Sequence, residues 1–163
     1  MSKPTVYVET TVISYLAARP SRDPVVAGHQ QATRDFWSEA PARFRLLSSE
    51  FEFRECSSGD SEAAAERLRH LRDVEKLEVS DAAVGLTNAL LEGDAIPPSE
   101  PRDAAHIAVA AAHGVQYLVT WNFRHIANPQ RQRDIELVCV KAGFDPPIIC
   151  SPESLLGRFI DVV

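Results

Sequence analysis

Four oxygen-bearing side chains sit where an α/β chain can do chemistry. Glu9 closes a β-branched and aromatic run, residues 5–8, and is followed at once by Thr10 and Thr11. A carboxylate joined directly to a buried strand needs a cation, a hydrogen-bond partner or water. Asp103 falls in the first turn of an alanine-rich segment after a proline-rich loop, and Asn122 follows the apolar stretch YLVT by way of Trp121. Glu55 comes shortly after a second apolar run, residues 43–49. Carboxylate and amide oxygens of this kind suit hard divalent cations, Mg²⁺ or Mn²⁺. Gathered together, carboxylates raise one another's pKa unless a cation offsets their charge. Each also has a plainer reading. Asp103 alone can be a charge favoured by a helix N-terminus, and Glu55 alone a solvated surface residue.

Elements must position these groups. TVYV (residues 5–8) reads as a short buried strand and residues 9–18 as a short helix, with Val12, Tyr15 and Leu16 on one face. Asp23 opens a second helix, with Pro24 suited to its first turn, running to about residue 39. Residues 43–49 form a second strand. EFEFRECSSG stays open between strand and helix, because Phe51 and Phe53 alternate. Residues 60–77 read as one helix capped by Asp60 or Ser61, residues 81–93 as another stopped at Gly93, and residues 102–114 as a third. A strand over 115–121, a helix over 129–142, a last strand in PPIICS and a terminal helix SPESLLGRF capped by Ser151 complete the reading. Strands alternating with helices predict an α/β domain with a mainly parallel sheet, which places ligands beyond the carboxyl ends of its strands.

The composition narrows the options. With 17 Lys and Arg against 23 Asp and Glu, the net charge of −6 argues against loose, charge-driven binding to nucleic acid or anionic membrane, while leaving room for a local basic patch. No apolar run reaches membrane-spanning length, and the opening residues do not read as a secretory signal. Three scattered cysteines, Cys56, Cys139 and Cys150, form no C-x-x-C and fit buried free thiols in a reducing cytoplasm. There is no G-x-G-x-x-G, no phosphate-binding P-loop, no H-E-x-x-H and no G-x-S-x-G.

VYVETTVISYL resembles the opening of PIN-domain proteins, in which a hydrophobic strand ends in an acid followed by a small hydroxyl residue. DAAHIAVAAAHGVQYLVTWNFRHIAN, residues 103–128, is similar to the D-A-x-H-I-A-x-A segment and the following strand ending in T-W-N or T-x-D in that family. The resemblance covers residues 5 to about 155. It implies one PIN-like domain over residues 1–163, with a three-layer α/β/α fold around a mainly parallel sheet. It also implies a Mg²⁺- or Mn²⁺-dependent endoribonuclease of the cytoplasm acting on single-stranded RNA, of the kind found as toxins in type II toxin–antitoxin pairs. A homodimer and a cognate antitoxin are the partners so implied.

By this resemblance Glu9, Glu55, Asp103 and Asn122 take the catalytic positions, with Glu9, Asp103 and Asn122 as metal ligands. Two departures stand out: Glu9 replaces the usual aspartate, and Asn122 brings an amide where many members have a fourth acid. A module with weak or no catalysis, binding RNA or protein, is the alternative. Thr10, Thr11, Arg102 and Arg124 are candidate substrate contacts, with His125, Arg131 and Arg133 nearby in sequence. His106 and Trp121 read as core residues, Trp121 with base stacking as the other option. A haloacid-dehalogenase-type site would need an aspartate nucleophile two residues before a second aspartate, and Tyr7 stands two before Glu9.

Overall fold

The computed structural model describes residues 2–157. Its strands are β1 (Thr5–Val8), β2 (Arg45–Ser49), β3 (Glu75–Leu77), β4 (Tyr117–Val119) and β5 (Ile148–Cys150). Between and after them run α1 (Thr10–Ala17), α2 (Pro24–Arg43), α3 (Glu50–Cys56), α4 (Ser61–Leu71), α5 (Asp81–Glu92), α6 (Pro101–Ala112), α7 (Pro129–Lys141) and α8 (Pro152–Leu156).

The five strands form one sheet in the order β3-β2-β1-β4-β5, and every pairing is parallel. β1 is central because both its faces are apolar. Tyr7 points into one core with Leu47, Leu118, Ile107 and Leu90, while Val6 and Val8 point into another with Val12, Ile13, Phe36 and Val119. Period-two alternation on a strand thus feeds two hydrophobic layers. The result is a three-layer α/β/α arrangement. No helix among the described residues is long and apolar enough to cross a membrane.

Side-chain caps start most helices where the sequence places them. Asp23 accepts from the backbone N–H groups of Val25 and Val26, Asp60 from Ala63, and Ser151 from Ser154. α5 ends at Gly93, but not for its backbone freedom: a Cβ there would come within 3.1 Å of both the Ala89 carbonyl and Val138 of α7.

Several boundaries differ from expectation. α2 runs on to Arg43 through Pro41, which costs one hydrogen bond in the last turn rather than ending the helix. The helix expected over 60–77 stops at Leu71, and residues 75–77 become the edge strand β3. The open segment EFEFRECSSG is helical over Glu50–Cys56. Residues 158–159 of the expected terminal helix lie outside the described residues.

Candidate functional site

Strand order reverses direction at β1. β2 and β3 lie to one side of it and β4 and β5 to the other, so the carboxyl ends of β1 and β4 flank the topological switch point. Glu9 is the residue directly after β1 and caps α1. Its Oε2 accepts from the Thr11 N–H at 2.9 Å, the Thr11 hydroxyl at 2.5 Å and the Thr120 hydroxyl at 2.9 Å. The Thr120 hydroxyl in turn accepts from the Asn122 N–H at 2.9 Å, and the Thr11 hydroxyl from the Trp121 N–H at 2.9 Å. These bonds fasten the end of β4 to the end of β1. They also show what Thr11 does: its hydroxyl and N–H are committed to Glu9, not free for a substrate. No hydrogen bond among the described residues ends on Glu9 Oε1. Yet Oε1 is not sealed in, since the buried, unpartnered side-chain oxygens among these residues are the two of Glu52.

Glu55, on the short helix α3, anchors a second branch. Its Oε1 accepts from the Thr10 hydroxyl and lies 3.2 Å from His106 Nε2, while Oε2 lies 3.8 Å from Arg102 Nε. His106 is 1% exposed and its Nδ1 meets the Tyr7 hydroxyl at 2.8 Å, which also meets Ser49 Oγ at 2.8 Å. A carboxylate can only accept, so Nε2 carries a proton toward Glu55. Burial is the largest influence on Glu55 and pushes its pKa up. The hydrogen bond and charge of His106, with help from Thr10 and Arg102, outweigh it, so the net shift is downward. His106 is therefore a core residue that holds Glu55 in place.

Asp103, in the first turn of α6, completes the group. Its Oδ2 accepts from Asn122 Nδ2 at 3.1 Å and from His125 Nδ1 at 2.9 Å. The other amide atom of Asn122, Oδ1, accepts from the His125 N–H at 3.0 Å. Both ends of this amide are thus engaged, and Asn122 positions Asp103 and the turn after β4. Oδ1 of Asp103 takes no hydrogen bond among the described residues. Glu100, Asp103 and His125, all half-buried, bring ligand atoms within 4.8 Å of one another. Nothing in the sequence marks Glu100 for this cluster except its place three residues before Asp103. His125 reads from the sequence only as a neighbouring base.

Glu52 was missed altogether. It is fully buried one turn before Glu55, and neither carboxyl oxygen has a hydrogen-bond partner. The Tyr7 and Ser48 hydroxyls lie close enough to lower its pKa in part, but neither reaches it with hydrogen-bond geometry, Tyr7 being engaged with Ser49 and His106. Burial first, then the charges of Glu9 and Glu55, raise its pKa well above the ordinary carboxylate range. Burial and Glu52 likewise raise that of Tyr7.

The remaining candidates separate. Trp121 is core: it is 8% exposed, its ring is stacked on His29 at 4.1 Å and its Nε1 donates to Thr33. Arg102 and Arg124 are exposed beside the cluster, whereas Arg131 is tied to Asp94. The cysteines are unbridged, and burial pushes Cys56 up to about 12 and Cys139 and Cys150 up to about 11, which rules them out as thiolate nucleophiles at neutral pH. Fold and site together define a parallel α/β protein with an acidic cluster at its switch point. No family model matches the chain, and no curated protein matches it.

Proposed function

We propose that this chain is a Mg²⁺- or Mn²⁺-dependent nuclease that hydrolyses phosphodiester bonds of single-stranded RNA at the Glu9–Asp103 cluster. The observation that carries this reading is how the two acids are held. In each, one oxygen is fixed by donors from neighbouring residues and the other takes no protein hydrogen bond. That is how a ligating carboxylate is oriented by its surroundings. Glu9 Oε1 and Asp103 Oδ1 would hold the cation, with Glu100 and His125 within reach of Asp103. A bound cation supplies positive charge at the scissile phosphate and lowers the pKa of water. Glu55, kept ionised by His106 and Thr10, fixes negative charge beside it. Exposed Arg102 and Arg124 would meet the flanking phosphates.

The resemblance to PIN-domain toxins supports the same reading, together with an antitoxin, a homodimer and a cytoplasmic setting. Leu137 and Val140, each 61% exposed and one turn apart on α7, offer apolar surface for a second copy. One observation favours the non-catalytic alternative: the Asn122 amide is engaged at both ends, by Asp103 and by the His125 N–H, and the fourth position brings no charge.

The test is cleavage of end-labelled single-stranded RNA with Mn²⁺ and with EDTA, by the wild type and by Asp103→Asn. The nuclease reading requires cation-dependent cleavage that Asp103→Asn reduces to background. Cleavage undiminished in EDTA, or RNA binding without cleavage by the wild type, overturns it.

A further inference from the structure

Of the large apolar side chains exposed among the described residues, Phe123 is the one aromatic, with 47% of its surface free. It follows Asn122 directly, so it stands beside the acid cluster. We propose that Phe123 is the platform on which an unpaired base of the RNA strand stacks, so that the site selects single-stranded over base-paired RNA. This rests on the nuclease reading above.

Three features fit the ring for that role. Its backbone is fixed: the Asn122 carbonyl accepts from the N–H groups of Ile126 and Ala127, the Phe123 N–H donates to Trp121, and Asn122 Oδ1 holds the His125 N–H. The ring is braced from behind, lying edge-to-face with Trp121 at 5.9 Å and with His29 at 6.2 Å. The stacked Trp121–His29 pair is itself anchored through Thr33, so the block is rigid and little freedom remains to be lost on binding. Finally, Arg124 is exposed and directly follows Phe123, so a cation is at hand for the backbone phosphate of a stacked nucleotide. A base inside a duplex has both faces covered by its neighbours, whereas an unpaired base can be splayed out onto an aromatic ring. Stacking of this kind is tolerant of sequence, because every base has a π-face.

The experiment measures binding without turnover. Fluorescence anisotropy of a labelled single-stranded RNA, and of a hairpin of the same composition, is recorded in EDTA with the full chain. Phe123→Leu keeps most of the apolar volume and removes the π-face, while Phe123→Trp keeps it. Phe123→Leu should weaken single-strand binding by roughly 5- to 100-fold at an unchanged melting temperature. Phe123→Trp should bind at least as tightly as the wild type, and the hairpin should bind weakly to all three. Wild-type affinity in Phe123→Leu, or equal affinity for strand and hairpin, overturns the proposal. The two readings fail separately. A wild type that binds but does not cleave with Mn²⁺ removes the nuclease and leaves the platform. Cation-dependent cleavage together with unchanged binding by Phe123→Leu does the reverse. No RNA binding by the wild type in EDTA removes the platform, and no cleavage with Mn²⁺ removes the nuclease.

Discussion

Replacing Glu52 with methionine should make the protein more stable. The carboxyl is sealed from solvent without a hydrogen bond, and burial together with Glu9 and Glu55 raises its pKa. A buried polar group left unsatisfied costs about 1–3 kcal/mol. Glu52→Met keeps a similar length and volume and removes that penalty. For a chain of this size each kcal/mol moves the melting temperature by roughly 2–4 °C, so a rise of roughly 2–12 °C is expected at neutral pH. The pH dependence gives a sharper check. An acid whose folded pKa is raised holds a proton that the unfolded chain releases. Its adverse effect is absent below the unfolded pKa and grows as pH rises toward the folded value, by at most about 1.4 kcal/mol per pH unit. The gap between Glu52→Met and wild type should therefore be small in acid and widen from the ordinary carboxylate range upward. Urea denaturation across that range, in EDTA, reads the gap directly, because the other titrating groups largely cancel. A variant that is less stable than wild type, by an amount independent of pH, would show that the Glu52 carboxyl is partnered and the reasoning wrong.

Two further outcomes follow from the same geometry. Thr120→Val removes a donor to Glu9 and the acceptor for the Asn122 N–H; it should cost about 1–3 kcal/mol and, as the loss of an orienting partner, weaken Mn²⁺ binding about 10- to 100-fold by calorimetry. The lowered pKa of Glu55 means that its stabilising contribution is in place above the ordinary carboxylate range and is lost as pH falls through the folded value. Glu55→Gln should therefore flatten the acid limb of the stability profile, modestly because the side chain is partly exposed, and an unchanged limb would remove His106 as its partner.

The parallel sheet was legible because the runs 5–8, 43–49 and 115–121 each carry adjacent apolar residues that face both cores, as Leu46 and Leu47 or Leu118 and Val119 do, and helical patterns intervene. β3 was not legible. Its Glu75 and Lys76 are exposed at a sheet edge, and they continue the charge pattern of α4 without a break. The alternation of Phe51 and Phe53 imitates a strand for a physical reason. Two residues on a helix point about 200° apart, and α3 sends Phe51 to one core and Phe53 to the other. The same geometry hid Glu52. In the pattern E-F-E-F it looks like the solvated side of a strand, whereas the helix turns it inward. The four oxygen-bearing residues could be read from their places at element ends. The roles of Thr10, Thr11, Thr120 and His106 as holders could not, because each depends on a contact across the sheet.

Glu9 is at once the residue that leaves β1 and the cap of α1, and Ser49 is both the last residue of β2 and the cap of α3. Neither seam contains a loop. One residue inserted at either would rotate the following helix by about 100° relative to the strand it leaves. At the second seam that would turn Glu55 and Glu52 together away from the places they hold against the sheet. Length variation at these seams is therefore closed to the chain.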